Sequence, residues 1–171
     1  VVAVDPVRVT RMEVHRGHLV CLVSFAGAPR VTSASLMRRV LPAFPMLPQH
    51  ACVNERGTTF AAVMDCTPLP HLLEHLVVDL QVRTQVAQQH AREGAASRSV
   101  APTASRADAY TGSAAQAEPT PRERPIVGTS EWADERAGLA RIDVSFADDQ
   151  VALRAFRDAV AFLNETLRGA E

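Results

Sequence analysis

Lysine is missing from this chain altogether: all 18 basic side chains other than histidine are arginine. That reads first as a compositional bias. Against 19 acidic residues the formal net charge is −1, so no basic excess points to a nucleic acid or an anionic membrane surface. Cysteine is sparse. Cys21, Cys52 and Cys66 are an odd set with no Cys-x-x-Cys pair, which excludes a disulfide scaffold and suits a reduced, cytoplasmic protein. No apolar run approaches the roughly 18–20 residues of a membrane span, and no cleavable signal pattern is visible. There is no Gly-x-x-x-x-Gly-Lys-[Ser/Thr] phosphate loop and no Gly-x-Ser-x-Gly elbow. The chain begins at Val1 rather than methionine, so its true start is expected upstream. What is present is 47% apolar content over 171 residues, enough for one domain with a real core.

Valines and alternation organise the first third. Val7 to Val14 alternates weakly, His15-Arg16-Gly17-His18 makes a turn, and Leu19 to Ala26 is strongly apolar; together they predict an antiparallel hairpin. Thr32 or Ser33 caps a helix running to about Phe44, ended by Pro42, Pro45 and Pro48. Gln49 to Gly57 reads as an ordered loop and Thr58 to Met64 as a third strand. Thr67 as N-cap and Pro68 at the first helical position open a helix to about Gln88. Its apolar stripe is Leu69, Leu72, Leu73, Leu76 and Leu80. From about 90 to 125 the chain has almost no large apolar residue and cannot offset its ordering entropy; it is expected to be a disordered insertion.

Order returns at Ile126. Leu139 to Phe146 alternates as a fourth strand, and Asp148 or Asp149 caps a last helix. The order β-β-α-β-α-(long flexible loop)-β-α predicts an α+β fold over 1–171, a single domain. Its mainly antiparallel four-stranded sheet packs helices on one face.

The chemistry concentrates in His71-Leu72-Leu73-Glu74-His75. On a helix, residues four apart lie one turn above each other. His71 and His75 can hold one zinc ion from the same face, with Glu74 as a proton acceptor. This His-x-x-Glu-His order is the inverse-zincin arrangement. Zinc catalysis needs a third protein ligand. In pitrilysin-like inverse zincins it is a glutamate well downstream, and Glu131 is the analogue in spacing, with Glu135, Asp134 and Cys52 as rivals. Cys52 also reads as a small core residue, and His50 as either a pocket or a loop histidine. Cys21 reads as core. Arg38-Arg39 and Asp148-Asp149 read as a solvated helix face and an N-cap, with charge pairing to a zwitterionic polymer as the other reading. Trp132 reads as a hydrophobic anchor or a substrate platform.

Gln49-His50-Ala51-Cys52 with Gly57 and Phe60, then Thr67 and His71 to Leu76 through Leu80-Gln81, resembles the N-terminal domain of cyanophycin synthetases. Ile142 to Phe146, Asp148-Asp149 and the helix through Val160 resemble the strand and helix that close that domain. The resemblance covers roughly residues 35–88 and 138–167. Gln49, Thr58-Thr59 and Cys66 depart from the family's glutamate and glycine positions, and the long insertion has no counterpart in the pattern. The ligase parts of a synthetase are absent, so the chain is a standalone relative or a piece of a longer protein, and not a ligase by itself.

The resemblance implies a domain that handles cyanophycin, a polyaspartate carrying arginine on its side chains. In some synthetases this domain looks like a metallopeptidase that trims polymer into primers. By position, His71 and His75 become ligands and Glu74 the base. The expectation is therefore a zinc-dependent hydrolase acting on cyanophycin or a related Asp/Arg peptide. The alternative is a non-catalytic cyanophycin-binding or scaffolding module. A homo-oligomer is compatible with either; nucleic acid and membrane are not expected partners.

Overall fold

The hairpin forms where the sequence alternates. In the computed structural model, which describes residues 4–99 and 125–169, β1 (Arg8–His15) pairs antiparallel with β2 (His18–Ser24). The turn between them is permitted by Gly17, whose φ of 85° suits a residue without Cβ. Leu19, Cys21 and Val23 point inward and are fully buried. Ser33 caps α1 (Ala34–Val40) through its hydroxyl and the Leu36 amide. This helix stops at Val40, short of the expected Phe44.

The chain then makes a small unit of its own. A 3₁₀ turn at Leu47–Gln49 leads into β3 (Ala51–Asn54), which pairs with the three-residue β4 (Gly57–Thr59) before a second 3₁₀ turn at Phe60–Ala62. The strand expected from Thr58 to Met64 is therefore short, and it stays outside the main sheet. Phe60 explains why: it is fully buried and anchors a turn rather than one face of a strand.

α2 (Leu69–Ser99) runs well beyond Gln88. Ten residues expected to be disordered, 90–99, continue the helix, because their alanines, arginines and glutamate have good helix propensity. The rest of the expected insertion, up to residue 124, lies outside the described residues. Leu69, Leu72, Leu73, Leu76 and Val77 are fully buried along α2.

β5 (Gly128–Asp134) and β6 (Leu139–Ser145) complete the main sheet, with strand order β1-β2-β6-β5, antiparallel throughout. Gly138, at a φ of 70°, sits in the turn between them. β5 takes the place in the four-stranded sheet that sequence patterning assigned to a third strand at Thr58–Met64. Asp148 caps α3 (Asp149–Arg168) by accepting from the Val151 amide. α2 lies over β5 and β6, and α3 over β1 and β2, on the same side of the sheet. The α+β class with helices on one face of an antiparallel sheet is as expected. No helix among the described residues is long and apolar enough to cross a membrane.

Candidate metal centre

His71, His75, Asp79 and Arg83 stand four apart and form one polar line along α2. The line is not solvated at its start: His75 and Asp79 are buried, and His71 is half-buried. What covers it is the β3–β4 unit. Phe60 stacks on His75 with ring centroids 4.2 Å apart and meets His71 edge-on at 5.4 Å. Cys52, on β3, brings Sγ to 3.5 Å from His71 Nε2. His75 Nε2 is 3.2 Å from His71 Nε2.

Cys52, His71 and His75 thus place three donor atoms within 4.8 Å of one another. Two nitrogens about 2.0–2.1 Å from a tetrahedral zinc are about 3.3–3.4 Å apart, and a thiolate about 2.3 Å away stands about 3.6 Å from each. The 3.2 Å between the two nitrogens and the 3.5 Å from Cys52 Sγ to His71 Nε2 fit that pattern, while Cys52 and His75 stand within 4.8 Å of each other. The donor set fits zinc on chemistry as well, since two imidazoles and a thiolate are its ordinary ligands.

The structure does not bring Glu131 or Glu135 to the histidines. In β5 the residues opposite Ala140, Ile142 and Val144 are Trp132, Ser130 and Gly128, which share the helix-covered face. Glu131 is one residue out of phase and points the other way, 69% exposed and 3.8 Å from Arg141. Glu135 and Asp134 lie at the exposed end of the strand and its turn. The residue beside the two histidines with a possible donor atom is instead Cys52, which sequence reasoning weighed mainly as core.

Glu74 lies on the buried side of α2. Its Oε2 accepts a hydrogen bond of 2.8 Å from the Ser130 hydroxyl. Burial pushes its carboxyl above the usual carboxylate range, partly offset by that bond. Gly128 is packed against it: a Cβ there would stand 2.6 Å from Glu74 Cγ. His71, Glu74, His75, Cys52, Gly128 and Ser130 line one open cleft of about 740 Å³.

Burial also lowers the histidines. His71 is held below its ordinary value by desolvation, and His75 is pushed down to about 3 by burial and by its neighbours His71 and His50. Both are neutral near pH 7, the form that ligates metal. Thr67 does not cap α2; its hydroxyl lies 2.7 Å from His71 Nδ1. An Nδ1–H donating to that oxygen leaves the Nε2 lone pair facing Cys52 and His75.

Two further polar groups adjoin the cluster. His50 Nδ1 is 3.2 Å from His75 Nδ1, and His50 Nε2 is 3.2 Å from Asp79 Oδ1. Asp79 was missed in the sequence, although the four-residue step from His71 through His75 continues to it. Cys21 is core as expected, its thiol pushed up to about 12 by burial. Trp132 packs edge-on against Phe25 at 5.7 Å, as an anchor would, and also lines the cleft. Arg39 donates to the Thr166 carbonyl and Asp148 caps α3, so both serve the fold.

Residues 22–103 match the family model of the cyanophycin synthase-like N-terminal domain. The matched span runs from within β2 through the end of α2 and carries His50, Cys52, His71, Glu74, His75 and Asp79. β5, β6 and α3 lie outside it. No curated protein and no solved structure matches the chain significantly.

Proposed function

We propose that this chain is a metal-dependent, peptidase-like hydrolase acting on cyanophycin or a related Asp/Arg peptide. The observation that carries the reading is the convergence of Cys52, His71 and His75 at ligand spacing in a cleft that also holds the buried Glu74. His71 Nε2, His75 Nε2 and Cys52 Sγ would hold the metal. When bound, zinc supplies Lewis acidity at an amide carbonyl and lowers the pKa of water towards about 7.

The protein's own groups supply the rest. Glu74 takes a proton as water adds to the scissile amide and delivers it to the departing amine, leaving a carboxylate and an amine. Its raised proton affinity suits that exchange, because a base near the working pH both accepts and releases. Ser130 holds the carboxylate by one oxygen, and Thr67 holds the His71 ring. The apolar cover of Phe60 keeps solvent from the ring faces. The substrate class rests on the family match and on the resemblance of the His50–Gln81 block.

Cyanophycin incubated with zinc-loaded protein should release fragments. Glu74→Gln should retain zinc while hydrolysis falls by about 10²–10⁴-fold, and Cys52→Ser should weaken zinc uptake. Protein that neither contains nor takes up zinc counts against the reading. Polymer binding without fragment release by zinc-loaded protein would favour the non-catalytic binding module.

A further inference from the structure

His50 and Asp79 sit beside the three donors and play no part in the scheme above. Their side chains are 18% and 4% exposed, and their contacts form a directed chain. A carboxylate offers lone pairs only. At 3.2 Å from Asp79 Oδ1, His50 Nε2 therefore carries the hydrogen. A neutral imidazole with Nε2–H has its lone pair on Nδ1. That atom is 3.2 Å from His75 Nδ1, so His75 must donate from Nδ1. The lone pair of His75 is then on Nε2, the atom 3.2 Å from His71 Nε2 inside the donor cluster.

We propose that Asp79, acting through His50, is a positioning residue that fixes the tautomer of His75 and so turns its Nε2 lone pair into the metal site; this rests on the metal reading above. Outer partners of this kind orient ligating histidines and set their donor atom. Here the carboxylate acts one imidazole further out, from the next turn of the helix that carries both ligands. Arg83 sets the direction of the chain at its far end. Its Nε is 2.5 Å from Asp79 Oδ2, as an ion pair at an angle outside that of a hydrogen bond.

That arrangement makes the proposal testable by reversal. In Asp79→Asn the cationic Arg83 draws the amide oxygen to itself, which leaves the amide NH₂ facing His50. His50 then accepts at Nε2, donates from Nδ1, and forces the hydrogen of His75 onto Nε2, where it blocks the metal. In Asp79→Asn/Arg83→Glu the acceptor at position 83 turns the amide round again. The carbonyl faces His50, and the original tautomers return.

Long-range ¹H–¹⁵N correlation spectra of the metal-free full chain read the tautomers, and competition with a chromophoric chelator reads zinc affinity. The wild type should show His75 as Nδ1–H. Asp79→Asn should show Nε2–H and bind zinc about 10–100-fold more weakly, and the double variant should recover both. Should Asp79→Asn fail to fold, position 50 decides. His50→Gln can donate to Asp79 and accept from His75, so it should keep zinc affinity, whereas His50→Leu should lose it. A wild type that binds zinc with His75 as Nε2–H overturns the proposal, as does unchanged affinity in a folded Asp79→Asn or His50→Leu. A wild type that takes up no zinc overturns the metal reading and this proposal with it.

Discussion

Thr67 reads in the sequence as a helix cap, yet α2 begins at Leu69 and the Thr67 hydroxyl turns to His71, and the residue types alone gave no warning of it. Capping and imidazole orientation ask for the same short hydroxyl, so a sequence cannot separate them until the fold puts a ring within reach. Cys52 is the same case in reverse: a small apolar-looking residue is brought to the histidine pair because β3 folds over α2. The histidine pair was legible, because its spacing is local to one helix. One consequence is testable in protein freed of metal with chelator. His75 has a folded pKa of about 3 against 6.5 when unfolded, so the unfolded chain binds more protons between those values. Stability should therefore fall as pH drops from about 6.5 towards 3, with His71 adding in the same direction. Glu74 works oppositely: its raised folded pKa favours the folded state as pH falls towards 4.5, so below that value the decline belongs to the two histidines together with Glu13, whose carboxyl is held below its usual range by His15 and Arg11. Urea midpoints at pH 7, 5.5 and 4.5 should show this slope, and His75→Gln should flatten it. A parallel slope in that variant would assign the effect to other groups.

At the scale of elements, the hairpin, α1, α3 and the buried face of α2 were legible from period and caps, because each is decided by neighbours a few residues away. β5 was not. Thr129-Ser-Glu-Trp-Ala-Asp has one large apolar residue and follows a polar tract. It becomes a strand because β6 offers it a partner and α2 covers its inner face. That pairing decides the phase of the strand, and with it the exclusion of Glu131 and the approach of Ser130 to Glu74. Gly128 is the point of closest contact. With a Cβ placed 2.6 Å from Glu74 Cγ and 2.9 Å from Oε1, Gly128→Ala should cost about 1–3 kcal/mol by overpacking and should break the Ser130–Glu74 bond. A double-mutant cycle checks the cause. In a Glu74→Ala background the same substitution should be nearly neutral, because the crowding atoms are gone. An equal cost in both backgrounds would place the strain elsewhere.

For the whole molecule, the strand order leaves β1 and β5 as the two edges of one sheet, and a polar contact ties each edge to the helix layer. At β5 the tie is Glu74 with Ser130, which belongs to the cleft. At the other edge it is Asn164 on α3, whose amide accepts from the Val7 N–H and donates to the Val7 carbonyl, both at 2.8 Å. Asn164 is 3% exposed and Val7 1%, so water cannot replace the lost partners. The tie spans 157 positions of sequence, and no local pattern foretells it: an asparagine late in an amphipathic helix looks like a surface residue until the first strand is laid beside it. Asn164→Ala should leave two buried backbone groups unpaired and cost about 2–4 kcal/mol, read as a lower urea midpoint and as fast hydrogen exchange at the Val7 amide. Because this edge lies across the sheet from the candidate metal centre, any zinc affinity measured where the variant is still folded should be unchanged. A matching loss of affinity would show that the two edges are coupled through the sheet, and that the cleft depends on the closure of the whole fold rather than on α2 and the β3–β4 unit that carry its donors.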